Sequence, residues 1–305
     1  MTSMDHKTLV AEMPPDVRAA LTTCTDAPGV RQFAGHIGAI GVGAVLILSD
    51  VPMMALLMLV QGILISFLFT ALHETTHRTP FKTLALNIWV GRICGAFVLI
   101  GPEWFRYFHL AHHGHTHDPD NDPELATPKP ETIWQYAVYL SGLPDIAKRL
   151  TVLIRNATRP NRDAYVPEGA KPRIKTEARC LLAFYAGIVA VGLWFWTPAA
   201  LLVWLLPLLM GGPFLRAYLL AEHARCPHAA SMLDNTRTTL TTRLVRALAW
   251  NMPYHAEHHA YPAVPFHKLP AFHEHAKAHI THLQPGYVRF HRSFVTKVLS
   301  HESPP

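Results

Sequence analysis

Residues 51–77 read VPMMALLMLVQGILISFLFTALHETTH. The part from 51 to 72 contains no charged residue and is long enough to cross the hydrocarbon core of a bilayer as a helix. The apolar run ends directly at His73 and His77, and residues four apart share one face of a continuing helix. This stretch therefore predicts a membrane-spanning helix that carries two histidines, pointing the same way, at its end.

Other parts of the chain are similarly apolar. Residues 32–48, 179–196 and 199–220 each approach or exceed the length of a span, and residues 84–101 are marginal. Half of all residues are hydrophobic and only 16% are charged, which is too apolar for an ordinary soluble domain. We therefore predict an all-α integral membrane protein with two transmembrane hairpins, which together make four spans.

Positive charge lies on one predicted side of these spans. The turns at 49–50 and 197–198 contain no Lys or Arg, whereas residues 148–179 contain nine and the chain after His223 contains nine more. By the positive-inside rule, the N-terminus and both long polar regions are expected in the cytoplasm. The net charge of +6 then indicates orientation and contact with anionic lipid, and not binding to nucleic acid.

This topology predicts how the chain is organised. The parts are a cytoplasmic N-terminal arm (1–30), a membrane domain with a cytoplasmic helical cap (31–290) and a C-terminal tail (291–305). Residues 84–101 lie between two regions on the same side, so we expect them to dip into the bilayer and return, or to lie buried against a four-helix bundle. The amphipathic stretch 132–154 predicts two interfacial helices that are broken at Pro144.

Histidine is the residue type that points to chemistry, with 21 in 305 residues. HLAHH (109–113) and HAEHH (255–259) place imidazoles at i, i+3 and i+4 of a helix, and a lone histidine ends the fourth span. With HETTH, these clusters supply nine imidazoles at the cytoplasmic ends of helices: His73, His77, His109, His112, His113, His223, His255, His258 and His259. Nine ligands are too many for one four-ligand zinc but enough for two metal ions. We therefore expect the cap to hold a di-metal site, although imidazole suits iron, copper, zinc and nickel alike.

The three clusters resemble the histidine boxes of the membrane fatty-acid desaturase and hydroxylase superfamily, which read HxxxH, HxxHH and HxxHH around two transmembrane hairpins. The segments HETTHRTPF (73–81), HHGHTHDPDNDPEL (112–125) and NMPYHAEHHAYPAVPFHKLP (251–270) also look like those that surround these boxes. The resemblance implies that the nine histidines bind two Fe ions, with O2 as co-substrate. It further implies desaturation of an acyl or lipid chain, with electrons from a separate ferredoxin or b-type cytochrome and its reductase. In a bacterium, the active site would then lie on the cytoplasmic side of the inner membrane.

Residues next to the boxes are candidates for supporting roles. Acidic neighbours are expected to hold ligand imidazoles through their second nitrogen, and the candidates are Glu74, Glu222, Glu257, Asp118 and Asp122. Asn251 is a candidate to hold a metal-bound water. Aromatic residues beside the boxes are candidates to line a substrate tunnel: Trp104, Phe105, Tyr107, Phe108 and Trp250. We assign His115 and His117 to a supporting layer or a loop, and expect solvent around His267, His273, His275, His279 and His282.

Three other functions share parts of this pattern. A hydroxylase or ketolase of a lipid, alkane or carotenoid would use the same site, so the sequence does not separate it from a desaturase. An intramembrane zinc protease is suggested by HETTH, with Glu74 activating water, but it leaves both HxxHH clusters unexplained. A metal transporter predicts ligands near the bilayer midplane, whereas these histidines are expected at the rim.

Overall fold

A computed structural model of the protein describes residues 4–49 and 51–302, and most of these residues are helical. The helices are α1 (His6–Glu12), α2 (Pro15–Thr22), α3 (Asp26–Leu48), α4 (Met54–His77), α5 (Leu84–Phe97), α6 (Pro102–His115), α7 (Ile133–Leu140), α8 (Leu143–Thr158), α9 (Lys171–Trp194), α10 (Leu206–His223), α11 (Met232–Asn235), α12 (Arg243–Leu248), α13 (His255–Ala260), α14 (Leu269–Ala276) and α15 (Tyr287–Leu299). Short 3₁₀ segments cover Glu168–Ala170 and Phe266–Lys268, and Leu201–Leu205 is a π-helical segment that leads into α10. Two strands occur in the described part, β1 (Arg237–Thr239) and β2 (His282–Gln284), and they pair in parallel.

Four helical stretches are long and apolar enough to cross a membrane, as predicted. They cover Pro15–Leu48, Met54–His77, Glu168–Trp194 and Leu201–His223. Each is longer than the apolar run that predicted it, because a helix continues past the hydrocarbon region to the next capping position. The predicted end of the N-terminal arm at residue 30 therefore lies inside α3, which begins at Asp26 after the extended Thr25. Asp50 of the expected first turn lies outside the described residues, as do 1–3 and 303–305 at the ends of the expected arm and tail.

The marginal stretch 84–101 does not form one straight span. Helix α5 ends at Phe97, and α6 starts at Pro102 at an angle of 100° to it. The connection is tight, with Leu99 in the left-handed region (φ 62°) and the Ile100 amide donating to the Gly95 carbonyl. The chain thus bends sharply between α5 and α6, and both helices pack against α4.

The four spans do not form the closed bundle that we expected from the sequence. Helix α10 packs along α4, whereas α9 packs chiefly against α8. Only 6% of the apolar window of α9 is buried, compared with 56% for α4. The expectation of four mutually packed spans is therefore wrong for α9, because its apolar surface faces outward, where lipid would cover it.

The closest helix crossing joins α4 and α10 at two glycines. A Cβ atom on Gly62 would lie 1.9 Å from the Pro207 carbonyl oxygen, and one on Gly211 would lie 2.0 Å from the Gly62 backbone. Small residues allow such close approach between helices in membranes. Because His73 and His77 end α4 and His223 ends α10, this crossing also fixes the distance between those histidines.

We expect Gly62→Ala to destabilise the protein, because the added methyl group requires the two backbones to separate. The expected loss is about 1–3 kcal/mol in the free energy of unfolding, as for other overpacked sites. Reversible unfolding in detergent micelles measures it. Gly212→Ala is the matched control, since a Cβ at Gly212 meets no atom within 4 Å, and it should be neutral or slightly stabilising. Equal stability of the two variants would contradict the proposed tight crossing.

The predicted helix pair is present as α7 and α8, but its break differs from the predicted one. The chain turns at Gly142, which has a φ of 71°, and Pro144 lies in the first turn of α8. Proline is well tolerated there, because its missing N–H would have no helical partner in the first turn. The break at Pro144 is therefore wrong by two residues, and the left-handed glycine makes the turn.

The last helix of the chain packs against α10. Helix α15 packs Phe290, Phe294 and Val298 against Leu220 and Ala221 of α10. The predicted start of the tail at residue 291 therefore lies inside a packed amphipathic helix. The sequence pattern of α15 is too polar to be a span, but its apolar residues at i, i+4 and i+8 form one buried stripe.

Candidate metal centre

All nine predicted histidines meet at one place in the structure. One group contains five of them, whose nearest nitrogens all lie within 4.8 Å of one another: His73, His77, His109, His113 and His258. A second group, by the same measure, contains His112, His223 and His259. His255 borders the second group, because its Nε2 lies 3.0 Å from Nε2 of His223.

The two groups cut across the sequence clusters. On α6, His109 and His113 belong to the first group and His112 to the second; on α13, His258 belongs to the first and His259 to the second. Adjacent residues of an α-helix point about 100° apart, whereas residues four apart share a face. Each HxxHH cluster therefore supplies histidines to both groups.

The histidine nitrogens fit a bound metal ion in each group. Both ring nitrogens of His73, His113 and His258 are buried without a hydrogen-bond partner in the described residues, as is Nε2 of His259. Buried polar atoms without partners are rare and costly unless an ion or water satisfies them. Burial, and then the neighbouring histidines, lowers the pKa values of His258 and His259 well below the usual range. These imidazoles are therefore neutral and present free lone pairs, as metal ligation requires.

Asp122 supports the second group as predicted. Its carboxylate is buried and lies 2.9 Å from Nδ1 of His112, which directs Nε2 of that ring toward His223 at 3.3 Å. It also accepts the backbone N–H groups of His117 and Glu124, each at 2.9 Å. Such a carboxylate–histidine pair fixes the ring orientation of a ligand.

Asp118 and Glu257 do not contact the predicted ligands, although both were candidates to do so. Asp118 is partly exposed and accepts from the Asn121 side chain. Glu257 is fully buried, but its oxygens bond to the Thr238 hydroxyl and to Nδ1 of His273. The predicted solvent exposure of His273 is therefore wrong, because its partner lies inside the cap. Glu222, unlike Asp118 and Glu257, does contact a predicted ligand, because its Oε1 lies 3.4 Å from Nδ1 of His255.

Glu74 is fully buried beside the first group. Its Oε1 accepts from the Thr79 hydroxyl at 2.8 Å and from the Phe266 amide at 2.9 Å, while Oε2 lies 3.9 Å from Nδ1 of His258. Asn251 contacts the same loop, because its amide donates to the Phe266 carbonyl at 3.1 Å. Within the described residues no hydrogen bond joins Asn251 to a histidine, so its role toward a metal-bound water stays a prediction.

Two further side chains lie near the second group, and of these Glu124 was not predicted from the sequence. Oε2 of Glu124 lies 3.3 Å from Nε2 of His112, and the only sequence signal is its position two residues after Asp122. His117 is buried, with its ring 5.4 Å from that of His223. Burial, and then the charge of Lys129, lowers the pKa of His117 to about 4. The expected supporting layer thus includes His117, whereas His115 is exposed.

A cavity of about 230 Å³ opens beside the histidines. Trp104, Phe105 and Phe108 line it, together with His73 and His109, as expected for a substrate tunnel. The other two predicted aromatic residues do not. The Tyr107 hydroxyl accepts from Arg173, and Trp250 is fully buried against Phe266. Both residues are used for packing, and neither lines the cavity.

Fold and site together define a helical protein with four potential membrane spans and two groups of histidines that could hold metal. A family model described as "Fatty acid desaturase" matches residues 50–291. The chain belongs to the fatty acid desaturase family, and this membership supports a desaturase-type oxidoreductase. Among curated relatives, dihydrorhizobitoxine desaturase from Bradyrhizobium elkanii is 28% identical over 240 residues, which are 73% of this chain and 66% of that protein. The match thus covers slightly less than two thirds of the relative's length.

Proposed function

We propose that this protein is a membrane-bound di-iron oxidase that desaturates the apolar part of an acyl or lipid substrate. The observation that carries the proposal is the meeting of nine imidazoles beside a cavity, six of which have a buried ring nitrogen without a hydrogen-bond partner among the described residues. The ligands would be His73, His77, His109, His113 and His258 at one iron, and His112, His223, His255 and His259 at the other. Two iron ions, when bound, would supply the oxidising power that an unactivated C–H bond requires.

The overall reaction needs a reductant besides the substrate. Desaturation takes two hydrogen atoms from adjacent carbons, and O2 accepts them with two further electrons and two protons to leave two water molecules. Those two electrons would come from a ferredoxin or b-type cytochrome with its reductase. The residues of the chain would hold the metal ions, place the substrate C–H bonds beside the histidines, and keep bulk water out through the buried aromatic wall.

We further propose that the site faces the cytoplasm, at the inner membrane if the source is bacterial. The support is the positive-inside distribution of Lys and Arg and the position of His77 and His223 at the ends of α4 and α10. The N-terminal arm, the membrane domain with its cap, and the C-terminal segment would then form the organisation expected from the sequence, with boundaries moved to the observed helix ends.

Metal content and product mass test the proposed function together. We expect two iron ions per purified chain and, in cells that also express a redox partner, a lipid product two hydrogens lighter than its precursor. A product heavier by one oxygen would instead identify a hydroxylase with the same site. One zinc per chain with no oxidised product would overturn the proposal in favour of a protease.

The zinc protease is disfavoured by the surroundings of Glu74. A base that activates water must reach that water, but Glu74 is 0% exposed and its Oε1 is already bonded to Thr79 and to the Phe266 amide. Both HxxHH clusters also lie in the same site as HETTH, which a single-zinc enzyme would not require.

Replacing Asp122 with asparagine should weaken metal binding at the second group. The amide can no longer accept from His112 Nδ1 and from the His117 amide as a carboxylate does, so the imidazole loses its orientation. Loss of such an outer partner typically costs 10–100-fold in metal affinity. Competition with an iron chelator measures this loss. Asp118→Asn is the control, since Asp118 touches no ligand histidine, and an equal effect of both variants would contradict the role of Asp122.

A further inference from the structure

The cavity beside the histidines has an apolar half. The His109 ring stacks on Phe105 with centroids 5.5 Å apart, and Phe105 and Trp104 both stack on Phe108, at 6.2 and 5.2 Å. Aliphatic side chains complete this half of the lining: Leu153, Ile174 and Ala178. Glu177 also lines the cavity, but its carboxylate accepts a hydrogen bond from the Glu103 backbone N–H at 2.7 Å. This half therefore offers mainly apolar surface to a bound molecule.

The opposite half of the cavity is charged. Its lining contains four basic and two acidic side chains, namely Lys129, Lys148, Arg149, Arg216, Glu124 and Asp145. Glu222 lies at the boundary and faces Nδ1 of His255 at 3.4 Å. With Glu222 and Glu177 included, the cavity lining carries four basic and four acidic side chains, so a preference for an anion depends on which basic groups lack a partner.

Two of the basic groups retain unused hydrogen-bond donors, although the Arg216 guanidinium also lies over the Tyr139 ring, 3.9 Å from its centroid. Arg149 is fully engaged, because it bonds to Asp145 at 2.6 Å and to the Val98 carbonyl at 2.8 Å. Arg216 reaches the same Asp145 only at 3.5 Å, and its buried Nε has no hydrogen-bond partner in the described part of the chain. The single hydrogen bond of Lys148 in that part goes to the Thr127 hydroxyl. Arg216 and Lys148 are therefore the groups with donors available for a ligand.

The charged half lies very close to the histidines. Oε1 of Glu124 bonds to Lys129 at 2.8 Å, and its Oε2 lies 3.3 Å from Nε2 of His112, so one carboxylate separates the lysine from the histidine. This ion pair places the charged half directly against the second histidine group.

We propose that the cavity binds a small anionic amphiphile whose acid group lies between Arg216 and Lys148 and whose apolar chain lies along Phe105 and Phe108. His109 stacks on Phe105 of the apolar half and His112 lies 3.3 Å from Glu124 of the charged half, so the carbons nearest to the histidines would be those close to the acid group. This inference rests on the proposed oxidase function and narrows its substrate to short chains with a carboxylate or phosphate head. The volume of about 230 Å³ lies below the usual range for ligand pockets of about 300–1,000 Å³, which suits a short chain better than a whole membrane lipid.

Ligand binding to the metal-loaded protein in nanodiscs tests the proposal without turnover. The probes are decanoate, decyl phosphate and decanol, which share one chain and differ in the head group. We expect both anions, or one of them, to bind at least about tenfold tighter than decanol, since a hydrogen bond to a charged group contributes about 1.5–3 kcal/mol. The stronger anion identifies the head group as a carboxylate or a phosphate. Equal binding of decanol and both anions would overturn the proposal.

Variants distinguish the loss of the anion-binding subsite from a loss of folding. Arg216→Gln should lower anion affinity about tenfold and leave decanol binding unchanged. Lys148→Gln, at the exposed mouth of the cavity, gives the same test if the loss of Arg216 prevents folding. Arg289→Gln is the control, because Arg289 is exposed on α15 outside the cavity lining, and it should bind all three probes as the wild type does. Unchanged anion preference in both cavity variants would overturn the proposal.

The anion-binding subsite and the proposed oxidase function can each fail while the other is supported. If the anions bind preferentially but no substrate is ever oxidised, the subsite is supported and the oxidase function fails. If the enzyme oxidises an alkane and the matching acid equally well, the function is supported and the subsite fails. With decanoate as substrate, fragmentation of the product should place the new double bond nearer to the acid end than to the methyl end.

Discussion

Replacing His112 with alanine is expected to abolish product formation while the protein remains in the membrane. Nδ1 of His112 is bonded to Asp122, and its Nε2 lies 3.3 Å from Nε2 of His223, which places it at the centre of the second histidine group. The effect should exceed the 10–100-fold loss that is typical of removing an outer partner of a metal ligand. Lipid profiling in cells that express a redox partner measures the product, and metal analysis should show iron falling from two ions per chain toward one.

His115→Ala is the matched control for His112→Ala. Both residues lie in the last turn of α6, but the side chain of His115 is 51% exposed and is directed toward Asp118. It should therefore keep wild-type iron content and product. Membrane fractionation of both variants shows whether insertion is preserved, because α6 is not one of the four candidate spans. Unchanged product from His112→Ala would exclude His112 from the ligand set.

The features predicted correctly from the sequence depend on local geometry. Apolar length is sufficient to find the candidate spans, because a helix must be about 20 residues long to cross a bilayer. Helical spacing aligns His73 with His77, and the short connections within the two predicted hairpins return the chain to the same end of the fold. The histidines that end α4 and α10 are therefore expected at that same end.

The features that the sequence did not reveal depend on tertiary contacts. The peripheral position of α9 depends on which apolar face finds a partner, and its composition resembles that of the packed spans. His273 resembles its exposed neighbours in the sequence, but the fold places Glu257 beside it. The division of HLAHH between two groups needs the positions of α4 and α13, which spacing within α6 alone does not provide. Glu124 reaches His112 only because the loop after α6 folds back.

Glu74→Ala should reduce both stability and activity, because one buried carboxylate joins three parts of the structure. It accepts from Thr79 after α4 and from the Phe266 amide in the cap, and its Oε2 lies 3.9 Å from His258. Alanine leaves the Phe266 N–H without its partner, which costs about 1–3 kcal/mol for a buried donor. Activity should fall at least 10–100-fold, because the loop next to His258 loses its attachment to α4. Unfolding in detergent and product analysis measure the two effects.

Glu74→Gln separates the structural effect from the electrostatic one. A glutamine oxygen can still accept from Thr79 and from the Phe266 amide, so most of the stability lost in Glu74→Ala should be retained. The glutamine carries no negative charge, however, and would no longer offset the positive charge of a metal ion bound beside His258. We therefore expect Glu74→Gln to be nearly as stable as the wild type but clearly less active. Full activity in this variant would show that Glu74 serves only to connect α4 with the cap, and that the carboxylate has no influence on the ligand.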